Sequence, residues 1–443
     1  MTEKGFNFDY SKCVGCHACL VACYNENKTQ PPISWRQVQT YNRLKVPLSG
    51  FINLSIACNH CIDAPCLNAC PANAYEKDSV TGAIIHHSER CIGCRYCTWA
   101  CPFDAPQFNQ AKGVVEKCNL CNSRLKEGLI PACTNACPTG ALSYGDIEVT
   151  DSVVAPGLSI KHTKPRINLK NGNIAASVPL VDLSVSGFDT QRVENIQPLE
   201  SKIDSFSEWP LVLFTLIAAL LEGWMINLML NPDAENYSYT FGVLGILGMA
   251  LSTLHLGKPL RAYRSVLNFK SSWLSREILF FTAFFGASLF ALFIGGSIAY
   301  IILAVIIGIL LLFAIEFVYS VTDKKYSTPI HSANTVLTAV TLGFMLSGYS
   351  SIAVGLIAIK GILYLVRFAY KEILSRGVIL SFIRFFVGIM VPLVNLLFLT
   401  GSVGIVVIAY IFGELIDRFE FYNDIHVDTP HILMNTHRSP YKS

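Results

Sequence analysis

The sequence is poor in charged residues. Only 15% of its 443 residues are charged, whereas 52% are hydrophobic, and the formal net charge is +3. Soluble domains usually contain about 25% charged residues, so this composition excludes a purely soluble protein. Tracts rich in Lys and Arg, and basic runs interleaved with aromatic residues, are also lacking. Nucleic acid is therefore not expected as a partner.

Targeting features and late cysteines are lacking as well. The amino-terminal segment MTEKGFNFDYSKC has neither a basic stretch followed by an apolar one nor a twin-arginine pair, so we expect no export signal on this part of the chain. Cysteine does not occur after Cys137, because all 16 cysteines lie between Cys13 and that residue. Long apolar runs begin only at Trp209. The chain is thus predicted to consist of two different parts.

The cysteines form four runs of four. The first and third runs have the spacing C-x2-C-x2-C-x3-C, and the second and fourth end in C-x3-C-P after longer internal gaps. In bacterial ferredoxins, the first three thiolates of such a run bind one [4Fe-4S] cluster and the fourth binds the other cluster of a pair. The sequence therefore predicts four [4Fe-4S] clusters in a duplicated two-cluster ferredoxin. Their ligands would be Cys13, Cys16, Cys19, Cys23, Cys58, Cys61, Cys66, Cys70, Cys91, Cys94, Cys97, Cys101, Cys118, Cys121, Cys133 and Cys137.

Two other uses of cysteine fit this spacing less well. Disulfide frameworks are typical of short secreted chains that carry a signal peptide. Structural zinc sites use two C-x2-C pairs separated by a spacer, and they do not need the third cysteine of C-x2-C-x2-C. The spacing therefore favours iron–sulfur clusters over both alternatives.

Residues 1 to about 170 resemble the electron-transfer subunit of the dimethyl sulfoxide reductase family of molybdenum oxidoreductases. The motifs that carry the resemblance are SKCVGCHACLVAC, SIACNHCIDAPCLNACP, CIGCRYCTWACPFDAPQFN, KCNLCNSRLKEGLIPACTNACP and HTKPRINLK. The resemblance implies that the first and fourth runs share one pair of clusters, and the second and third runs the other pair. It also implies that the four clusters form an electron-transfer chain from a membrane quinol site to molybdopterin on a separate catalytic subunit.

Apolar runs follow a polar linker that we expect over about 171–208. A bilayer core about 30 Å thick needs roughly 20 apolar residues in a helix, which predicts about eight spans over 209–420 and a tail over 421–443. The predicted fold class is an α+β four-cluster ferredoxin-like domain over 1–170, followed by an all-α membrane domain. The spans are about 209–231, 238–257, 278–295, 297–320, 332–349, 351–369, 380–400 and 402–418.

Basic residues are distributed unevenly over the predicted loops. Those on the side of the cluster domain, with the span ends beside them, carry Lys and Arg, and the opposite loops carry none. By the positive-inside rule, this pattern predicts a cytoplasmic cluster domain. The family resemblance implies that the membrane is the bacterial inner membrane, which the chain would cross several times. The alternative is that these basic residues dock the cluster domain. They are Lys258, Arg261, Arg264, Lys270, Arg276, Lys324, Lys325, Arg367, Lys371, Arg376 and Arg384.

The membrane half resembles the anchor subunit of the same family. The motifs are SEWPLVLFT, STLHLGKPLRAYRS, WLSREI and GELIDRFEFY, and the resemblance implicates His255 in binding a quinol, which we expect to be menaquinol. A quinol that loses two electrons also loses two protons, and imidazole accepts protons near neutral pH. Arg261 lies in the same motif, and the topology brings Glu277, Glu414 and Arg418 to the same membrane surface. The alternative for each is a helix cap or a snorkelling charge.

Two further ionisable residues, Glu222 and Lys360, are predicted to lie deep in the membrane. A charge at the bilayer centre costs about 2.5–3.5 kcal/mol on insertion scales, so we expect both side chains to face the bundle interior, as an ion pair or as a proton relay. Haem is not expected, because a bis-histidine site needs two facing histidines and His255 is the only histidine within a predicted span. His331 lies at a span boundary.

These features predict a membrane-anchored electron-transfer subunit. It would oxidise menaquinol from the quinone pool and pass electrons to a molybdopterin subunit that reduces an S-oxide, an N-oxide or an oxyanion, such as dimethyl sulfoxide. We expect no catalytic residues in this chain, because the substrate-reducing site would belong to that partner. Two alternatives stay open: a redox-coupled ion translocator with Glu222 and Lys360 as its relay, and a membrane-tethered ferredoxin that serves several acceptors.

Overall fold

The structure, a computed structural model, divides the chain into two units. One comprises Met1–Glu200 and Val427–Ser443, and the other comprises Ser201–His426. Most of the predicted linker and tail lies outside the described residues, as do Lys324, Lys325, Lys371 and Arg376. The described residues are 2–41, 52–149, 152–155, 158–161, 163–170, 203, 205–234, 238–295, 297–321, 331–370, 378–398 and 403–425.

The first unit contains a three-stranded sheet with β1 (Thr2–Asp9) at its centre. This strand pairs antiparallel with β8 (Leu142–Glu148) and parallel with β11 (Ile167–Lys170). Phe6 and Phe8 are both buried, as expected for alternate residues that share one face of a strand. The sheet therefore joins the segments that precede and follow the cysteine-rich region.

Short strand pairs and short helices make up the rest of the described α+β unit. The strands form antiparallel pairs. β2 (Arg36–Tyr41) pairs with β3 (Ile52–Ala57), and β4 (Tyr75–Lys77) pairs with β5 (Ile84–His86). β6 (Gln107–Asn109) pairs with β7 (Val114–Glu116), and β9 (Ser152–Ala155) pairs with β10 (Leu158–Lys161). The helices are α1 (Ala18–Asn27), α2 (Pro65–Ala69), α3 (Tyr96–Ala100), α4 (Asn122–Lys126) and α5 (Ala132–Asn135). Each helix lies within or directly beside a cysteine run.

The second unit is helical over most of its described residues. A 3-10 helix, Pro259–Val266, follows the second long helix, and π-helical turns occupy Ala291–Gly295 and Phe386–Met390. The α-helices are α6 (Trp209–Leu230), α7 (Ser238–Leu254), α8 (Trp273–Phe290), α9 (Ile298–Val318), α10 (Thr335–Leu346), α11 (Ser350–Tyr370), α12 (Val378–Phe385), α13 (Val391–Phe398) and α14 (Val403–Asp424).

Five helical segments among the described residues are long and apolar enough to cross a membrane: Trp209–Leu230, Trp273–Ile294, Ile298–Val321, Ser350–Arg367 and Ile379–Phe398. A sixth results if α7 and the 3-10 helix, which meet at a bend of 101°, form one broken span. α10 is apolar but has only 12 residues. α14 has 22 residues but carries several charges on its carboxyl-terminal half. The count of eight spans therefore stays a prediction.

Two helices extend beyond the spans predicted for them. The third span, expected from residue 278, begins at Trp273, because the Ser272 hydroxyl accepts a hydrogen bond from the backbone N–H of Ser275 at 3.4 Å and caps the helix there. Glu277 consequently lies inside α8 and is buried. The last helix continues past residue 418 to Asp424, since its charged residues are paired inside the unit.

α6 is the most enclosed of the five apolar segments. In its most apolar window, 78% of the residues are buried, whereas the other four have between 28% and 39%. Gly223 allows α10 to approach closely, because a Cβ atom at this position would lie 2.9 Å from the carbonyl oxygen of Ala339. α6 therefore forms the centre of the described helices, and the outer helices expose apolar faces suited to lipid.

Candidate iron–sulfur and quinol sites

The loops between the first two cysteines of each run share one backbone feature. In all four runs, the residue before the second cysteine has a positive φ: 68° at Gly15, 44° at His60, 73° at Gly93 and 61° at Leu120. This left-handed residue turns the chain around the thiols. At three of these positions, the backbone N–H donates to the Sγ of the first cysteine of the run at 3.4 Å.

Two cavities are lined by four cysteines each. One is lined by Cys13, Cys16 and Cys19 of the first run together with Cys137 of the fourth. The other is lined by Cys91, Cys94 and Cys97 of the third run, together with Cys70 of the second. Each cavity therefore combines three cysteines of one run with the last cysteine of another.

The remaining eight cysteines form two similar groups. Burial raises the pKa of the Cys61 thiol, and Cys58, Cys101 and Cys66 raise it further. Burial also raises the pKa of the Cys23 thiol to about 12; Arg36 opposes the rise, while Cys133 and Cys121 add to it. Cys118 interacts in turn with Cys23 and Cys133.

The sixteen cysteines thus form four sets. We name each set after the run that supplies three of its members: first (Cys13, Cys16, Cys19, Cys137), second (Cys58, Cys61, Cys66, Cys101), third (Cys91, Cys94, Cys97, Cys70) and fourth (Cys118, Cys121, Cys133, Cys23).

The four sets lie in a row. Arg36 interacts with Cys19 of the first set and with Cys118 of the fourth, and Cys118 interacts with Cys58 of the second set. Tyr75 interacts with members of both the second and the third set. The order is thus first, fourth, second, third. Cys16, at one end of the row, is the exposed member of the sixteen.

The residues present fit [4Fe-4S] clusters. Each set offers four thiols around a shared space, and thiolates are the usual ligands of such clusters. Burial raises the pKa of the Cys66 and Cys97 thiols, so a nearby positive charge is needed to keep them ionised, which bound iron supplies. Among the described residues, no three His, Cys, Asp or Glu side chains are arranged as ligands of a single metal ion.

Two buried cations near the cysteine sets were missed by the sequence reasoning. Arg36 donates to the hydroxyl of Ser55 at 3.0 Å, and this hydroxyl lies 3.3 Å from the Sγ of Cys19. Lys117 lies 3.5 Å from the Sγ of Cys58. Both side chains are buried. Their sequence context gives no signal beyond the position of Lys117 directly before Cys118.

The tail motif HTKPRINLK has a structural role in the first unit. The buried side chain of Arg166 donates to the carbonyl oxygens of His60 at 2.9 Å, Thr81 at 3.1 Å and Gly82 at 2.5 Å. The pKa of His60 lies well below its usual value, mainly because of burial and then because of Lys117 and Arg166. The tail thus fixes the second cysteine run and the turn between β4 and β5.

Glu414 and Lys360 meet inside the membrane unit. Glu414 is fully buried on α14, and its two carboxylate oxygens lie 2.8 Å from Nζ of Lys360 and 2.7 Å from Nη2 of Arg384. The Thr338 hydroxyl also donates to this carboxylate at 2.6 Å. Lys360 therefore has an anionic partner, as expected, but that partner is Glu414. Of the alternatives left open for Lys360 and Glu222, an ion pair between the two is not formed, because α14 places its own carboxylate beside Lys360.

The charge network continues along α14. Asp417 forms ion pairs with Arg384 at 3.2 Å and with Arg367 at 2.6 Å, and Arg367 also pairs with Asp424 at 2.7 Å. Arg418 donates to the Thr338 hydroxyl at 3.3 Å and to the carbonyl of Ala333 at 3.4 Å. Arg367 and Arg384, which the sequence reasoning assigned to the loop side, thus serve as partners of buried carboxylates.

The other predicted quinol-site residues lie on different elements. His255 directly follows α7, Arg261 lies in the 3-10 helix, and both are partly buried. The 3-10 helix packs on α8, where the Ser275 hydroxyl donates to the carbonyl of Ser265 at 2.6 Å. Glu277, one turn from the start of α8, is 4% exposed.

Glu277 lies close to a pair of tyrosines. The hydroxyls of Tyr319 and Tyr422 are hydrogen-bonded to each other, and both interact electrostatically with Glu277. Because Tyr422 lies on α14, this helix connects the surroundings of Glu277 with the network of Glu414 and Arg418. His331 lies beside this pair: its Nε2 lies 2.8 Å from Glu316, and its ring stacks on Phe421, which also contacts Tyr319.

Glu222 lies apart from the ion network. It is 0% exposed, and among the described residues neither of its carboxylate oxygens has a hydrogen-bond partner. Gly308 of α9 makes room for it, since a Cβ atom at Gly308 would collide with the Glu222 carboxylate. An unpaired carboxylate is costly in a membrane interior, so the neutral acid is the form that this position favours.

Comparison with known proteins decides the family. Residues 51–147 match the 4Fe-4S dicluster domain, and residues 203–368 match the DMSO reductase anchor subunit (DmsC). The probable anaerobic dimethyl sulfoxide reductase chain YnfG of Escherichia coli (strain K12) is 39% identical over 183 residues, which cover 38% of this chain and 89% of that relative. The chain belongs to the dimethyl sulfoxide reductase family.

Within this family, the chain joins an iron–sulfur electron-transfer subunit to a membrane anchor. Two further relatives are iron–sulfur subunits of other complexes. The thiosulfate reductase electron transfer subunit PhsB of Salmonella typhi is 39% identical over 146 residues, covering 32% of this chain and 76% of the relative. The formate dehydrogenase iron–sulfur subunit of Wolinella succinogenes is 34% identical over 196 residues, covering 39% and 92%. The predicted resemblance is therefore confirmed for both halves.

Proposed function

We propose that this chain oxidises a quinol, specifically menaquinol, and carries the electrons to a separate catalytic subunit that contains molybdopterin. That subunit would reduce an S-oxide, an N-oxide or an oxyanion such as dimethyl sulfoxide. The observation that carries the proposal is the row of four cysteine sets in a chain that also contains the anchor. The names of the relatives, dimethyl sulfoxide reductase and thiosulfate reductase, support this class of acceptor.

The sixteen cysteines are the proposed ligands of four [4Fe-4S] clusters, one in each set. When bound, such clusters supply one-electron transfer at potentials that their surroundings set. The chain contributes the thiolates, the backbone N–H donors of His60, Gly93 and Leu120, and apolar side chains that exclude water. Ile92, Trp99 and Leu120 are buried beside the thiols for this last purpose. The exchange of the fourth cysteine between runs supports the proposed duplication of a two-cluster ferredoxin.

His255 is the proposed proton acceptor for the quinol. Its place after α7 and beside the basic 3-10 helix with Arg261 suits a polar headgroup at a membrane surface. Glu277 would accept the second proton, because its carboxylate is only slightly exposed and lies beside two tyrosine hydroxyls. Glu414 and Arg418 would support the site from α14 by fixing that helix through Lys360, Arg384 and Thr338.

We further propose eight spans in a bacterial inner membrane, with the cysteine unit on the cytoplasmic face. The support is the excess of basic residues on that side of the predicted loops. Arg367 and Arg384 are best left out of that count, because they are bound to Asp417 and Asp424 or Glu414. Insertion of a periplasmically active reporter at Asn231 or Gly401 would test the orientation, and activity in the opposite loops only would contradict it.

The experiment that tests the function is elemental analysis of the complex recovered from membranes through a tag on this chain. Four clusters require about sixteen irons per chain, apart from any iron in the partner. Molybdenum or tungsten, together with a large second subunit, would support the proposed electron transfer to a catalytic partner. Iron without these would favour a membrane-tethered ferredoxin, and zinc in place of iron would contradict the assignment of the cysteines.

A second candidate function, redox-coupled ion translocation, is favoured by the buried ionisable groups of the membrane unit. Glu222 lies without a hydrogen-bond partner among the described residues, and Lys360 belongs to a continuous network of charges. Glu222→Gln and Lys360→Met would each be assayed for quinol-driven proton movement in vesicles. Unchanged proton movement per electron in both variants would exclude this function.

A further inference from the structure

Lys117 is a buried lysine whose three donors are all used. Its side chain is 3% exposed. Nζ donates to the carbonyl oxygen of Cys118 at 2.9 Å, to the carbonyl oxygen of Ile84, and to the Sγ of Cys58 at 3.5 Å. An ammonium group has three N–H donors, so this arrangement matches the charged form of the side chain.

The negative groups that face Lys117 are thiolates. Cys58, Cys66 and Cys118 are the groups that act on its charge, and the Tyr75 ring lies 5.9 Å from Nζ. His60 interacts with both Lys117 and Arg166. Neither His60 nor Arg166 supplies a negative charge. Burying a cation is costly unless negative charge compensates it. The cost is offset here by sulfur ligands, whose negative charge grows when a cluster is reduced.

Lys117 stands at the junction of two sets. Its own chain neighbour, Cys118, belongs to the fourth set, and the sulfur atom that it contacts belongs to Cys58 of the second set. These are the two inner sets of the row. An electron that moves along the row therefore passes this cation at the middle step.

We propose that Lys117 is a positioning residue for electron transfer, which raises the reduction potential of the cluster held by Cys58, Cys61, Cys66 and Cys101. The inference rests on the proposed four-cluster function and deepens it. The physical reason is that a hydrogen bond to a ligand sulfur, and a positive charge in a medium of low dielectric constant, both stabilise the reduced and more negative state.

Arg36 provides an internal comparison. It is 2% exposed and interacts with thiols of the first and fourth sets. It reaches Cys19 only through the Ser55 hydroxyl, however, whereas Lys117 contacts a ligand sulfur directly. Loss of Lys117 should therefore affect the second set more than any other set.

The test is a redox titration of the purified complex, followed by electron paramagnetic resonance, in Lys117→Gln and Lys117→Arg. We expect Lys117→Gln to shift the midpoint potential of one inner cluster downward, and Lys117→Arg to shift it less. Lys112→Gln is the matched control, because Lys112 is exposed and pairs with Glu116 at 2.7 Å in the same segment. Unchanged midpoint potentials in Lys117→Gln, with the iron content retained, would overturn the proposal.

A second measurement does not depend on a variant. The wild-type complex is prepared with ¹⁵N-labelled lysine and partly reduced, and pulsed electron paramagnetic resonance measures the coupling between lysine nitrogen and the cluster spin. We expect coupling to one lysine nitrogen, and its absence would refute the contact. Iron content measured on the same sample separates this result from failure of the proposed function, since too little iron for four clusters would contradict the function itself.

Discussion

The pairing of Lys360 with Glu414 gives a stability prediction that can be worked from the structure. Removing one partner of a buried ion pair costs about 3–5 kcal/mol, because the other charge is left uncompensated. In Lys360→Met, Glu414 keeps Arg384 at 2.7 Å and the Thr338 hydroxyl at 2.6 Å. We therefore expect a loss near the lower end, about 3 kcal/mol.

Glu414→Ala should cost more than Lys360→Met. It leaves Lys360 with the Thr338 hydroxyl at 2.8 Å in place of an anion, and it leaves Arg384 with Asp417 at 3.2 Å. We expect a loss near the upper end, about 5 kcal/mol. In the double variant, the uncompensated Lys360 charge is absent, so the combined loss should fall short of the sum by about 0.5–3 kcal/mol.

The assay is thermal inactivation of the detergent-solubilised complex, measured as the fraction that stays monodisperse in size-exclusion chromatography after heating. The expected order of midpoint temperatures is wild type, Lys360→Met, then Glu414→Ala, with the double variant above the additive value. Lys270→Met is the control, since Lys270 is exposed and lies in the same unit. Strict additivity of the two single losses would refute a direct interaction between Lys360 and Glu414.

Three further predictions concern both units. His255→Ala should leave the iron content intact but block reduction of the clusters by a quinol analogue; normal reduction followed by absorbance would contradict the site. Cys94→Ser should remove or alter one cluster signal in electron paramagnetic resonance. Loss of all iron would instead show that the unit folds only when all four clusters are bound. Lys126 and neighbouring N–H groups lower the pKa of Asp78, so its stabilising effect is present above about pH 4 and is lost as the pH falls through the folded-state pKa. Asp78→Asn should destabilise the protein at pH 7 and make less difference in acid; a pH-independent difference in unfolding midpoint would contradict this.

The cysteine chemistry was accessible from sequence because ligand spacing is a local property. Each C-x-x-C loop needs a left-handed residue before its second cysteine, and glycine at positions 15 and 93 is a visible signal of this need. His60 and Leu120 fulfil the same role without such a signal. The combination of one run with another depends on the tertiary structure, and at the sequence level it was implied only by the family resemblance.

The partners of buried charges were not accessible in this way. Lys117 directly follows Glu116 at the end of the short strand β7, and this local sequence does not distinguish it from a surface lysine. Lys360 was predicted to face the bundle interior because of the cost of membrane insertion, but its partner depends on how α11 and α14 are rotated. The start of α8 had a signal that was overlooked, since Ser272 is a favourable N-cap residue.

The two units bury positive charge in different ways. Because of this difference, the buried cations of one unit should affect electron transfer, and those of the other should affect stability. In the membrane unit, Lys360, Arg367 and Arg384 are matched by carboxylates, whose charge stays the same when an electron passes. In the cysteine unit, Arg36 and Lys117 face thiolates that would ligate clusters, and the negative charge there changes with every electron. Each reduction should therefore strengthen the contacts of Lys117 and leave the α14 network unaffected. It follows that substitutions at Lys117 should change potentials more than thermal stability, and substitutions at Glu414 should do the reverse.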